Sequence, residues 1–112
     1  MSARLPSGMV VSALLRRVND SGGIGMVRAR GDEQGGAILV ILLEHGENPR
    51  VVERGIGASG APELVRSGSE SADQAEIEAY WRRRRERDPD LWVIELDIPF
   101  GERFAAETIL AG

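Results

Sequence analysis

The sequence predicts an α+β fold: a mostly antiparallel sheet of four to five strands with two helices packed on it, in the order α-β-β-β-(β)-α-β. Three patterns carry that expectation. Val11, Leu14, Leu15 and Val18 recur at helical spacing; Ala37 to Leu43 is an unbroken apolar run; and Trp92, Ile94, Leu96, Ile98 and Phe100 alternate with Leu91, Val93, Glu95, Asp97 and Pro99. A chain of 112 residues has room for one small domain and one core.

Along the chain, a short strand through Met9 and Val10 leads into the first helix. Ser12, Arg16, Arg17, Asn19 and Asp20 form its wet face, and Gly22-Gly23 closes it. Gly25 to Gly31 follows as a strand in which Val27 and Ala29 alternate with Met26, Arg28 and Arg30. Gly31 to Gly36 is a polar turn. Ala37 to Leu43, apolar on both faces and rich in β-branched residues, is the central strand. After the turn at His45 to Pro49, where Gly46 and Asn48 take positive φ cheaply, Arg50 to Ile56 is a third strand, so that three consecutive strands form an antiparallel meander.

From about residue 55 to 71 the chain is rich in glycine and serine and is expected to be a flexible loop, with one short edge strand at Leu64 and Val65. Ser71 and Gln74 have capping-box spacing for a second helix, which runs to Asp88 and stops at Pro89. Ile77, Tyr80, Trp81 and Arg84 make its buried stripe. Trp81 and Trp92, either side of the Asp88-Pro89-Asp90 turn, are expected to clamp this helix onto the sheet. The alternating segment after Asp90 is the last strand. Beyond Gly101 the pattern fades, leaving Phe104 and Ile109 to tack the tail onto the body.

Composition narrows the chemistry. All fourteen basic residues are arginine, there is no cysteine, and His45 is the one histidine. Schiff-base chemistry, a P-loop lysine, disulfides, thiolate metal sites and a cysteine nucleophile are therefore excluded. Eighteen acids give a net charge of -4, so the chain as a whole repels polyphosphates. Met9 to Leu15 is about the minimum for a signal-peptide core, but Ser12 interrupts it, Arg16-Arg17 follows at once, and no cleavage site comes after. No apolar run approaches the roughly 20 residues of a membrane helix. The expected location is the cytoplasm, with no membrane contact, no cofactor and no metal.

Several motifs invite functional readings. Gly55-Ile56-Gly57-Ala58-Ser59-Gly60 has dinucleotide-fingerprint spacing, but the long helix that must follow is missing and a flexible connection accounts for it. His45 has only scattered acids beside it, and no Gly-x-Ser-x-Gly elbow exists, so it reads as a loop-tip residue. Arg82, Arg83, Arg84, Arg85 and Arg87 suggest phosphate binding. Five acids between Glu76 and Asp90 neutralise them, and successive arginines point around the helix as a collar, so Arg82, Arg83, Arg85 and Arg87 are a secondary basic face. Arg16, Arg17, Arg28 and Arg30 could converge near Asp32 on a small anion or a partner; exposed charge on separate outer faces is the alternative.

Three stretches together carry a family resemblance: Ser12 to Val18 leading to Gly-Gly, Arg30-Gly31-Asp32 leading to Gly36-Ala37-Ile38-Leu39-Val40, and Asp88-Pro89-Asp90-Leu91-Trp92-Val93-Ile94-Glu95. In order and spacing the chain resembles a family of small alphaproteobacterial proteins catalogued as domain of unknown function 1491. The resemblance spans nearly the whole chain and implies no catalytic residue. The expected function is a non-catalytic binding or protein-interaction module, using a sheet edge or apolar helix face to form a homodimer. Arginine-mediated binding of nucleic acid or a small phosphate or other anionic ligand is the alternative. An enzyme using a pair of its carboxylates is a further reading, with no pair singled out by spacing.

Overall fold

A computed structural model describes residues 5–70 and 72–111. The elements run α1 (Ser7–Asp20), β1 (Ile24–Ala29), β2 (Ile38–Glu44), β3 (Glu47–Ile56), β4 (Pro62–Ser67), α2 (Gln74–Arg87), β5 (Trp92–Asp97) and α3 (Gly101–Ile109). The class and order are those expected, with the edge strand β4 formed and a third helix after β5. Met9 and Val10 belong to α1 and not to a strand, since the amides at its start bond to Gln34 and Glu33 carbonyls and let the helix begin at Ser7. The N-cap of α2 is Asp73, whose carboxylate accepts the Glu76 N–H at 2.8 Å; Ser71 lies outside the described residues.

The five strands lie in the order β1-β5-β2-β3-β4. This corrects the expected β1-β2-β3 meander. β5 inserts between β1 and β2, antiparallel to the first and parallel to the second, and the meander is β2-β3-β4. The reason is burial: Trp92, Val93 and Ile94 are apolar on both faces and belong in the interior of the sheet, whereas β1, with Gly25, Met26 and Arg28, suits an edge.

Two apolar layers form. One flank of the sheet packs Val40, Leu42, Val52, Trp92, Ile94 and Leu96 against α1 and α3, and the other packs Leu39, Ile41, Val51, Leu91 and Val93 against Ile77 and Trp81 of α2. Trp81 and Trp92 therefore lie on opposite flanks, correcting the expected clamp. Strand alternation turns Leu91 and Val93, not Trp92, toward α2. Past Asp97 the strand ends. Phe100, expected on its apolar face, is 76% exposed with φ 60° and caps α3. That helix buries only Gly101, Ala105 and Ile109, too short a stripe to stand out as periodicity.

Two of the three family-like stretches meet in one junction. Asp32 N–H donates to the Asp90 carbonyl at 3.0 Å, Trp92 N–H to the Ala37 carbonyl at 2.8 Å, and the Trp92 indole N–H to the Asp32 carbonyl at 2.7 Å. A Cβ on Gly31 or on Gly36 would run into the Asp90 carbonyl oxygen. Both glycines are there because backbone approaches backbone. The motif thus holds the β1–β2 connection against the start of β5.

Candidate functional site

Two arginines tie α2 to the sheet, Arg28 of β1 and Arg84 of α2. Arg28 Nη2 donates to both Glu78 carboxylate oxygens at 2.8 and 2.9 Å, its Nη1 to Glu95 at 3.0 Å, and Arg82 reaches Glu78 at 3.0 Å. Both guanidinium groups also lie against the Trp81 ring, Arg28 at 5.7 Å and Arg82 at 4.9 Å from its centre. Three residues on, Arg84 grips Glu53 of β3 with Nη1–Oε2 2.6 Å and Nη2–Oε1 3.0 Å and touches Tyr80 Oη at 3.1 Å, while Tyr80 bonds Ser67 of β4. Arg85 donates to the carbonyls of Arg30 and Pro89, and Arg83 and Arg87 are exposed. The secondary basic face is thus divided between ion pairs, backbone bonds and solvent.

The same pairing sets the charge states. Burial pushes the Glu53 and Glu78 carboxyls up, but hydrogen bonds from Arg84 and Ser67 to Glu53, and from Arg82, Arg28 and Trp81 to Glu78, outweigh it and hold both below the usual carboxylate range. Arg50, buried on β3, donates to Glu102 of α3 through Nε at 2.6 Å and Nη2 at 2.7 Å, which lowers Glu102 and raises Arg50.

Of the other candidates, Arg17 joins α1 to α3, bonding Glu107 and Thr108 at 2.6 Å each beneath Phe104. Arg28 belongs to the α2 flank. Arg30 pairs with Glu33 at 2.6 Å and lies over Trp92 on the other flank, and Arg16 is exposed along a groove that Glu33 also lines. Asp32 receives the Gly35 N–H at 2.8 Å. Arg16 and Arg30 therefore flank Glu33, with Arg17 and Arg28 directed elsewhere. Among the described residues, no three histidine or acidic side chains stand together as metal ligands, and no helix is long and apolar enough to cross a membrane.

Three exposed apolar side chains fall together on the outer edge of β1, whereas Ile56 and Phe100, more exposed singly, lie apart from it. Ile24 is 61% exposed, Met26 44% and Val27 36%. Pairing with β5 sets Ile24 opposite Asp97 and Met26 opposite Glu95 on the α2 flank, and Val27 opposite Ile94 on the α1 flank. Only one side of the strand is paired. Asn19 Oδ1, from the last turn of α1, accepts the outward Gly25 N–H at 2.9 Å, and by strand alternation the Val27 N–H points the same way. β1 has no proline and its one charged side chain, Arg28, is turned to Glu78 and Glu95, whereas β4 at the opposite edge opens with Pro62 and Glu63. The sequence gives Met26 a wet face, but nothing in it marks β1 as an edge or Asn19 as its cap. That depends on where β5 inserts.

The sequence profile of DUF1491, described as a protein of unknown function, matches residues 5–106. Similar solved structures agree. A crystal structure of a DUF1491 family protein from Caulobacter crescentus CB15 has a TM-score of 0.78 at 28% identity, covering 90% of this chain and 94% of that one. An NMR structure of a DUF1491 family protein from the same organism gives 0.75 at 28% identity, over 92% and 94%. The solution structure of protein Atu0922 from A. tumefaciens gives 0.66 at 32% identity, over 86% and 87%. No curated protein matches the sequence.

Proposed function

Because this chain belongs to the DUF1491 family, which supplies no activity to inherit, its role is read from its own geometry, and we propose a non-catalytic interaction module that pairs with a second copy of itself along the outer edge of β1. The carrying observation is an edge strand with Ile24, Met26 and Val27 exposed, its outward Gly25 N–H held by a side chain and not by another strand. Two-fold antiparallel pairing centred on Gly25 sets Ile24 opposite Met26 of the second copy on one flank. On the other, Val27 meets Gly23 of the second copy, which has no side chain to obstruct it. Arg28 then faces Gly22 of the copy, so no like charges oppose each other, and the Gly25 N–H exchanges the Asn19 side chain for a carbonyl of the copy. Commitment of Arg28, Arg82 and Arg84 to carboxylates supports a protein partner over a polyanion. The proposed setting is the cytoplasm, in keeping with a cysteine-free chain.

A six-residue edge is a small interface, so the dimer is weak and concentration-dependent. Light scattering on size-exclusion fractions over a concentration series should show the mass rising toward twice 12.2 kDa. Ile24→Lys should keep the protein monomeric without lowering its melting temperature. A wild-type protein still monomeric at about 1 mM, where a contact of only about 4 kcal/mol is half formed, refutes the proposal.

A further inference from the structure

The outward donor of β1 is covered from within the same chain, and the backbone dictates how. The N–H groups of Trp92 and Ile98 donate to the Ala37 and Leu43 carbonyls on the β2 side of β5. By alternation, Glu95 and Asp97 turn their backbone groups to β1, where they pair with Met26 and Ile24. Gly25, between those two, turns its N–H and carbonyl to the outer edge. Asn19 Oδ1 accepts that N–H at 2.9 Å.

The end of α1 puts Asn19 within reach. Gly23 N–H donates to the Val18 carbonyl at 3.0 Å and Gly22 N–H to the Asn19 carbonyl at 3.3 Å, with Gly22 at φ 89°, the bonding pattern of a Schellman closure. This reversal lays the last turns of α1 on the start of β1. Leu15 fills the space a Gly25 side chain would occupy, since a Cβ there would stand 2.8 Å from Leu15 Cδ2. Val18 is fully buried and anchors the turn, while Asn19 beside it is exposed. The Asn19 side chain can therefore leave Gly25 by rotating about its own bonds into water, with no movement of the backbone.

Building on the two-fold pairing proposed above, we infer that Asn19 is a latch on the β1 edge, an acceptor within the chain that competes with a second copy for the Gly25 N–H and so sets the strength of self-pairing. In a pair centred on Gly25, the Gly25 N–H of each copy donates to the Gly25 carbonyl of the other. An N–H aligned on that carbonyl no longer points at Asn19. Each protomer gives up its Asn19 bond, so every dimer breaks two. A neutral hydrogen bond at an exposed site favours the closed latch by about fivefold. Two of them leave the dimer about 25-fold weaker than the bare edge would make it.

The test compares the wild-type chain with Asn19→Ala. In samples diluted until both are monomeric, hydrogen exchange followed by NMR should show the Gly25 amide of the variant exchanging about fivefold faster. Asn19 is six positions from Gly25, so the substitution leaves the intrinsic exchange rate of that amide unchanged. Sedimentation over a concentration series should give a dimer Kd about 25-fold lower for the variant, the square of the exchange factor. Adding Ile24→Lys to Asn19→Ala should return the protein to monomer, which assigns the gain to the β1 edge. Pairing by the variant while wild type stays monomeric at about 1 mM would support the latch and refute self-pairing of the wild type. Equal Kd values for a wild type and a variant that both dimerise would overturn the latch and leave self-pairing standing. An unchanged Gly25 exchange rate, or association that survives Ile24→Lys, would also overturn the latch. Absence of association in both proteins at about 1 mM would overturn the latch and the self-pairing together.

Discussion

Replacing Glu53 with glutamine keeps the shape of the α2 clamp and removes its charge. Glu53 is 20% exposed and Arg84 31%, and two hydrogen bonds of 2.6 and 3.0 Å join them. Removing one partner of a fully buried pair costs about 3 to 5 kcal/mol. At this intermediate burial water recovers part of that, and about 2 kcal/mol is expected, the scale of a charged hydrogen bond. With a urea dependence of about 1.5 kcal/mol per M, the midpoint of unfolding should fall by about 1.3 M at pH 7. The pH dependence tests the cause. Because Arg84 and Ser67 hold the Glu53 carboxyl below its ordinary 4.5, the pair stabilises the fold above that value and the contribution is lost as pH falls through the lower, folded-state value. The gap between wild type and Glu53→Gln should therefore be full at neutral pH and close below about pH 4.5. A loss under about 0.5 kcal/mol at pH 7, or the same loss at pH 3 as at pH 7, refutes the reasoning.

Other substitutions probe the rest of the frame. Trp92→Ala removes a core ring and the indole bond to the Asp32 carbonyl, and should cost about 3 to 5 kcal/mol in chemical denaturation. Gly31→Ala forces a Cβ against the Asp90 carbonyl and to 2.7 Å from the Trp92 backbone nitrogen; a melting temperature lowered by about 8 °C or more should follow, from a loss of at least about 2 kcal/mol. Phe100→Gly relieves a left-handed backbone at an exposed residue and should raise stability by about 1 kcal/mol in the same urea assay, whereas an unchanged or lowered midpoint would show that the aromatic ring itself stabilises the fold.

Acid sensitivity should be shared. Glu102, lowered first by the Arg50 hydrogen bond, and Glu78, held low by its arginines against its own burial, carry the same sign as Glu53. All three clamps loosen together below the ordinary carboxylate range. Far-ultraviolet circular dichroism against pH should show a single acid transition, with α2 and α3 released as the carboxylates protonate.

How far the sequence determines this protein is plain from particular residues. Val11, Leu14 and Val18 specify α1, Leu39 to Leu43 the buried strand, and Trp92 to Leu96 a second buried strand, because helical and strand periodicities are local properties of the chain. The family-like stretches around Gly31 and Asp90 are also visible as a pattern. Their purpose is not, since it lies in contacts between residues about 60 positions apart.

Tertiary structure alone decided which strands are neighbours and what each arginine does. Local periodicity says that β5 is buried but not between which strands, and its insertion beside β2 turned β1 into an edge and set Trp81 and Trp92 on opposite flanks. A guanidinium group reads identically in sequence whether it ties a helix to a sheet, as in Arg28, Arg50 and Arg84, or leaves a buried nitrogen without a partner among the described residues, as in Arg54. Its role depends on which carboxylate the fold brings within about 3 Å. That distance is fixed by packing across the sheet and not by spacing along the chain.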